Sequence, residues 1–327
     1  MRRTPFLHPS LLARAGTQRG VFTSEQARRI GGHTVDDLQW LRRRRHLVAL
    51  RRGVYALRAA YDGADPATQH GIRVAALGLA LTAPATLSHE SAATELGLAL
   101  LDPDLSSLHV TRPVAASSRR EAGVIHHAAD LPEHHVVRRD GLLDLTTLAR
   151  TAIDVGRATE RFECAVAALD SALRMGVPAE ELRDVFARCR SWPGARMLSG
   201  ALPIADGRAD NPGESWSRVI LIRLGLAPTD LQVRLEDEDG LIGYADFGWG
   251  DEVVGELDGR GKYGIGVDTD PVEAVRIVRR EKRREDRIRA LGREVAWWVG
   301  AHHYRPGVIV QRVLAAMARA AQRRRPA

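Results

Sequence analysis

Three short runs with β character, LQVRL (231–235), IGYADFGW (242–249) and EVVGELD (252–258), follow one another closely in the C-terminal third of the chain. Turn signals at Asp239-Gly240 and Gly250-Asp251 separate them. Spacing of this kind predicts neighbouring strands joined by tight turns. A helix precedes them in PGESWSRVILIRLG, starting at Asn211 or Pro212 and ending at Gly225. A long charged helix follows from about Pro271 to Leu291, then a strand in REVAWWVG and a closing helix with a basic tail. The order α-β-β-β-α-β predicts a mixed, partly antiparallel sheet flanked by helices.

A chain of 327 residues is too long for one core, so two or three domains are expected. Its 44% hydrophobic and 27% charged content is that of a folded protein. The stretch SGALPIADGRADNPGE reads as the best boundary. The expected division is an α+β multidomain chain: residues 1–60, a mostly helical α+β middle domain at 61–200, a linker at 201–212 and the αβββαβ domain at 213–327. No apolar run approaches a membrane span, and the N-terminal MRRTPFLHPSLLARAG is too broken for a secretory segment. With only Cys164 and Cys189, neither a disulfide framework nor a zinc cluster is expected. These readings favour a bacterial-type cytoplasm and no membrane partner. Nothing in the sequence bears on the oligomeric state.

The first 60 residues carry the pattern of a winged helix-turn-helix. TSEQARRIGG opens on a Thr23/Ser24 cap and stops at Gly31-Gly32; HTVDDLQWLRRRRHL is capped by Thr34, and LVALRRGVYAL turns at Gly53 as a short hairpin. A net charge of +7 and a pI near 10.0 favour a polyanionic partner such as DNA. Arg42, Arg43, Arg44 and Arg45 at the helix end, with Arg51 and Arg52 in the wing, are the candidate DNA contacts. Four consecutive arginines cannot all face one groove, so contact with phosphates is better supported than base reading. The bland alternative is a solvated helix end complementing the macrodipole.

The motifs GVFTSEQARRIG and LRRRRHLVALRRGVYAL, in that order, resemble the N-terminal domain of AbiEi-type antitoxins of type IV toxin–antitoxin systems. SHESAATELGL and TTLARTAIDVG extend the resemblance into the middle segment. It implies promoter binding by the winged helix, with Arg44, Arg51 and Arg52 involved, and a toxin protein as a partner.

The middle segment shows no catalytic constellation. Its SSLHVTRPV and AGVIHHAADL read as a strand pair, and Ser88 as a helix cap. The pairs His126/His127 and His134/His135 do not make natural chelates, because adjacent residues on a strand point to opposite faces. Arg150 and Asp154, four apart on one helix, read as an ion pair.

The acids of the C-terminal runs stand at telling places. Asp246 lies on the second strand, Glu256 and Asp258 near the end of the third, and Glu214 in the first turn of the preceding helix. A hairpin brings Asp246 close to Glu256. Carboxylates gathered at one sheet end suit Mg2+, or Mn2+, which takes a few carboxylates plus water and phosphate oxygens. Lys262, in the following loop, would steady the nucleophile or the developing charge. Lys262 and Lys282 are the only lysines among 48 basic residues. Unrelated surface acids, a plain loop cation and a solvated arginine helix at 279–289 are the competing readings; a DNA-facing stripe is the sharper one for that helix.

GESWSR, YADFGW, VVGELDG and EKRREDRIRALGREV together resemble the PD-(D/E)xK nucleases, particularly the branch similar to very-short-patch repair endonucleases. The resemblance implies Asp246 and Glu256 as metal ligands and Glu214 as an accessory ligand or helix–sheet anchor. The family pattern has Lys two residues after the strand Glu, where this chain has Asp258. Lys262 or Lys282 substitutes, or Asp258 is itself a ligand, or catalysis has been lost. Two functions follow: a metal-dependent DNA endonuclease, or an AbiEi-like antitoxin and transcriptional regulator whose nuclease-like domain is inactive.

Overall fold

The computed structural model describes residues 6–113, 117–140, 143–258 and 271–324. They fall into two compact units, Met1–Leu98 with Asp102–Ala158, and Ala99–Leu101 with Thr159–Ala327. Helices and strands are mixed in both, making an α+β chain with three sheets among the described residues.

The first unit begins α1 (Pro9–Gly16), β1 (Val21–Thr23), α2 (Ser24–Gly31), α3 (Val35–Arg43), β2 (Leu47–Arg51), β3 (Val54–Leu57). Local chemistry accounts for the helix limits. Thr23 and Gln26 form a reciprocal capping box on α2, and Thr34 and Asp37 form one on α3. Gly32 ends α2 at φ 66°, a left-handed conformation that glycine adopts without a Cβ clash. Strand β3 pairs antiparallel with both β1 and β2. Leu11, Phe22, Ala27, Leu38, Leu41 and Leu47 form the core beneath these elements.

The same unit continues with α4 (Arg58–Asp62), α5 (Pro66–Ala80), β4 (Thr86–Leu87), α6 (His89–Leu96), β5 (Leu108–Thr111), β6 (Arg119–Glu121), β7 (Val124–His127), β8 (Val136–Val137), β9 (Leu145–Thr146) and α7 (Leu148–Ala158). Six of these strands form a mixed sheet in the order β6-β7-β5-β4-β9-β8. Helices outweigh strands in residues 61–200, as expected; of the short strands, β5 and β7 were legible in sequence, while the two- and three-residue β4, β6, β8 and β9 carry too few alternations to announce themselves. The two expected strands do pair, but in parallel, Leu108 opposite Val124. Ser88 precedes α6, but its hydroxyl accepts no capping hydrogen bond from the helix N–H groups and meets the His89 ring instead.

The second unit holds α8 (Phe162–Arg174), α9 (Ala179–Arg188), α10 (Ala195–Ala201), α11 (Pro212–Arg223), β10 (Asp230–Asp237), β11 (Gly240–Trp249), β12 (Val253–Asp258), α12 (Pro271–Ala290), β13 (Glu294–Val299) and α13 (Pro306–Arg323). Its sheet runs β10-β11-β12-β13; the first two pairings are antiparallel and the last parallel, as the crossover through α12 requires. One core joins Phe247, Trp249, Leu257 and Trp298 to Leu221 of α11 and to Ile309, Val313 and Ala316 of α13. A smaller one, with Val254 and Leu235, receives Ile288 of α12.

Residues 201–212, expected to be a linker, are fastened within this unit. The Asp206 N–H donates to Asp170 of α8 at 2.7 Å, and Arg174 donates to the Ala209 carbonyl at 2.6 Å. The Arg218 guanidinium reaches the Ile204 carbonyl and the Asp170 carboxylate, the latter at 2.6 Å. Composition suggested a free connector; long-range partners for its backbone override it.

Candidate functional site

The basic residues of the N-terminal elements fall in two places, Arg42–Arg45 at the end of α3, where β2 begins, and Arg51 and Arg52 at the β2–β3 turn, at the other end of β2. Helix α3 stops at Arg43, and Arg45 takes a left-handed φ of 62° that turns the chain into β2. Arg42, Arg43, Arg44, Arg45 and Arg52 are all exposed. Arg44 stacks over Trp40, 5.5 Å from the ring centroid. Among the described residues, no carboxylate pairs with Arg42, Arg43, Arg45 or Arg52. Arg51 departs from the expectation. It is half-buried and donates to the Ala122 carbonyl at the β6–β7 turn, and burial lowers its pKa, with Arg73 adding to the effect. It therefore ties the small sheet to the larger one.

In the second unit, each acid singled out from the sequence has a partner. Glu214 is buried at the start of α11; its carboxylate accepts from the Asp210 N–H at 2.8 Å and from Gln232 of β10 at 3.0 Å. These bonds link the start of α11 to β10. The paired register of β11 and β12 ends at Phe247 opposite Gly255, and Asp246 and Glu256 follow directly. There the Asp246 carboxylate takes the Leu257 N–H at 2.7 Å, filling the ladder with a side chain. Glu256 is held by Arg284 of α12 through contacts of 2.7 and 2.8 Å. Asp258 is half-buried at the end of β12. Lys262 lies outside the described residues, and Lys282 is exposed on α12.

Asp246, Glu256 and Asp258 were the expected carboxylate set. The ligand atoms of Asp246, Glu256 and Asp258 do not form a set within 4.8 Å of one another; among the described residues, His89, His109 and His127 alone make a three-residue set of that kind. A cation at Glu256 would have to displace the guanidinium that neutralises it. The arginines of α12 also divide. Arg284 and Arg287 turn to the sheet, Arg287 meeting Asp237 at 2.7 Å, while Arg279, Arg280 and Arg283 are exposed. They line an open groove of about 640 Å³ that closes on Ile242.

The histidine set was not visible in the sequence. His126 and His127 do diverge, as strand geometry demands: Arg112 donates to His126 Nδ1 at 3.2 Å, whereas His127 turns to the other side. There His127 Nε2 lies 3.1 Å from His109 Nδ1, and its ring stacks on His89 with centroids 3.8 Å apart. His109 Nε2 stands 3.5 Å from Glu90. Burial lowers the pKa of His89 well below the ordinary imidazole value and those of His109 and His127 to about 4, and raises that of Glu90. The three rings are neutral near pH 7. One histidine comes from each of α6, β5 and β7, 18 to 38 residues apart, so no spacing motif announces them.

No family model matches this chain. Two uncharacterised proteins of Mycobacterium tuberculosis, from strains CDC 1551 / Oshkosh and ATCC 25618 / H37Rv, are each 36% identical to it over 107 residues. The match covers 32% of this chain and 39% of either relative. No helix among the described residues is long and apolar enough to cross a membrane.

Proposed function

We propose that this chain is a DNA-binding regulator of the AbiEi-antitoxin type, whose C-terminal domain is a nuclease-like scaffold without hydrolytic activity. The exposed group of Arg42, Arg43, Arg45 and Arg52 carries the proposal. These guanidinium groups lack carboxylate partners among the described residues, in a chain where so many other arginines are paired. Leaving Arg42, Arg43 and Arg45 adjacent in solvent, with Arg52 exposed at the other end of β2, favours contact with a polyanion. The order of helix, strand, helix, helix and hairpin, with β1 added to β3, supports reading the elements around them as a winged helix with α3 entering the groove. A protein toxin as partner belongs to the same reading.

The C-terminal half of the proposal rests on the Arg284–Glu256 pair and on Asp258 in place of the motif lysine. A magnesium- or manganese-dependent endonuclease is the second reading. The αβββαβ order and the adjacency of Asp246 and Glu256 favour it. One experiment separates the two. Purified protein is titrated into labelled duplex DNA at several salt concentrations, then incubated with plasmid and linear DNA with Mg2+, Mn2+ or chelator. Salt-sensitive binding without cleavage upholds the regulator. Metal-dependent cleavage that disappears in Glu256→Ala replaces it with the endonuclease, and absence of salt-sensitive binding removes both.

A further inference from the structure

We propose that His89, His109 and His127 bind a divalent transition-metal ion of the zinc type, with solvent completing the coordination. The site is separate from the arginines discussed above and does not depend on the DNA-binding reading.

The geometry points to a defined ligand set. One nitrogen from each ring lies within 4.8 Å of the others. Zinc–imidazole bonds of about 2.0–2.1 Å in a tetrahedron place nitrogens about 3.3 Å apart. His109 Nδ1 and His127 Nε2, at 3.1 Å, already stand near that separation. A hydrogen bond between two neutral imidazoles would explain this pair alone, but not the third ring. His89 Nδ1 meets the Ser88 hydroxyl at 3.0 Å, which leaves Nε2; that atom is buried and has no hydrogen-bond partner. His89 is 1% exposed, so bulk solvent does not reach it. A shared cation gives all three nitrogens a partner once the His89 and His127 rings, now stacked at 3.8 Å and 14°, turn apart so that both lone pairs face it; the other two ring separations, 5.5 and 5.3 Å, already suit one ion.

The surroundings are those of a metal-bound imidazole. With Nδ1 of His109 as ligand, its Nε2–H faces Glu90 at 3.5 Å, the carboxylate–histidine arrangement that fixes ring orientation. Glu90 also supplies negative charge beside a dication in a buried site. His89 sits at φ 51°, a conformation sparsely used by residues with a Cβ. Neutral imidazoles suit zinc, copper, nickel and iron better than magnesium or calcium. His127 is half-buried, which leaves an approach for ion and solvent.

Metal-free full-length protein would be titrated with Co2+ and followed by visible absorption, with zinc content measured by mass spectrometry after Zn2+ loading and dialysis. One equivalent of zinc and the visible bands of tetrahedral cobalt are expected. Both should be lost in His127→Gln and kept in His134→Gln, where the altered side chain is exposed and outside the set. Less than one-tenth of an equivalent in wild type overturns the proposal, as do bands that survive His127→Gln. If His127→Gln loses its native circular dichroism, wild-type thermal unfolding decides: a midpoint raised by zinc and saturating at one equivalent upholds the site, and an unmoved midpoint overturns it.

Discussion

Arg42, Arg43 and Arg45 at the end of α3, and Arg52 in the β2–β3 turn, stand exposed without carboxylate partners among the described residues. On α12, by contrast, Arg284 and Arg287 lie against the sheet and bind Glu256 and Asp237. Both regions read from sequence as basic stripes available to DNA. The difference is what each helix packs beside. The end of α3 runs into a left-handed turn and a hairpin, with no strand-borne acid next to it, whereas α12 lies against β10–β12, whose edge is rich in acids. Arginine count measures attraction for a polyanion only after the internal partners are known.

A deeper version of the paired arrangement should give the largest effect. Arg218 and Asp170 meet at 2.6 Å with both side chains nearly inaccessible. Asp170→Ala leaves a buried guanidinium without its countercharge and should cost about 3–5 kcal/mol in urea unfolding. DNA affinity, measured in salt conditions where the variant is folded, should not change.

Next comes the unpaired group. Replacing Arg42, Arg43, Arg45 and Arg52 together with Ala should weaken duplex binding on the order of a hundredfold at low salt, with a salt slope shallower by about 0.9 for each arginine that touches a phosphate. Stability should move by less than about 0.5 kcal/mol, as for surface changes generally. Fluorescence anisotropy and thermal unfolding check the two halves. An unchanged salt slope would erase the contrast between the regions.

A smaller effect belongs to α12. Arg284→Ala should lower stability by about 1 kcal/mol, the scale of a partly shielded ion pair, and leave DNA affinity within about twofold. Substituting the exposed Arg279, Arg280 and Arg283 tests the other side of the same helix; a loss of affinity matching that of the α3 variant would show that both regions meet DNA.

The smallest effect is in pH. Hydrogen bonding to Arg287 lowers the pKa of Asp237 in the folded state. Its stabilising contribution is thus present above the unfolded Asp value of about 3.9 and is lost as pH falls through the lower folded value. The urea midpoints of wild type and Arg287→Ala should differ at pH 7 and converge as the pH drops below about 4.

Much of the local architecture was legible beforehand. Thr23 with Gln26 and Thr34 with Asp37 act within one turn of helix, and Gly32 and Gly53 relieve backbone strain where they stand. Such interactions are written in adjacent letters, so the limits of α2, α3 and α11, the three runs that became β10, β11 and β12, and the closing αβα of the second unit could be drawn from pattern. Glu214, Asp246 and Glu256, singled out as candidate ligands, are partly or wholly buried, and their partners were not foreseeable. Gln232, Leu257 and Arg284 reach them from 18, 11 and 28 residues away.

What the amino-acid order determined by itself was therefore the succession of helices and turns and the places where charge would need an answer. Tertiary structure decided which charges were answered. It gave Glu256 and Asp237 to α12, took Arg51 out of the basic group and fastened residues 201–212 in place. It also gathered three histidines that no motif connects. The physical reason is range: caps and turns act over three or four residues, whereas ion pairs and ligand sets need only proximity in space, which the pairing of β5 with β7 and the packing of α12 on its sheet create.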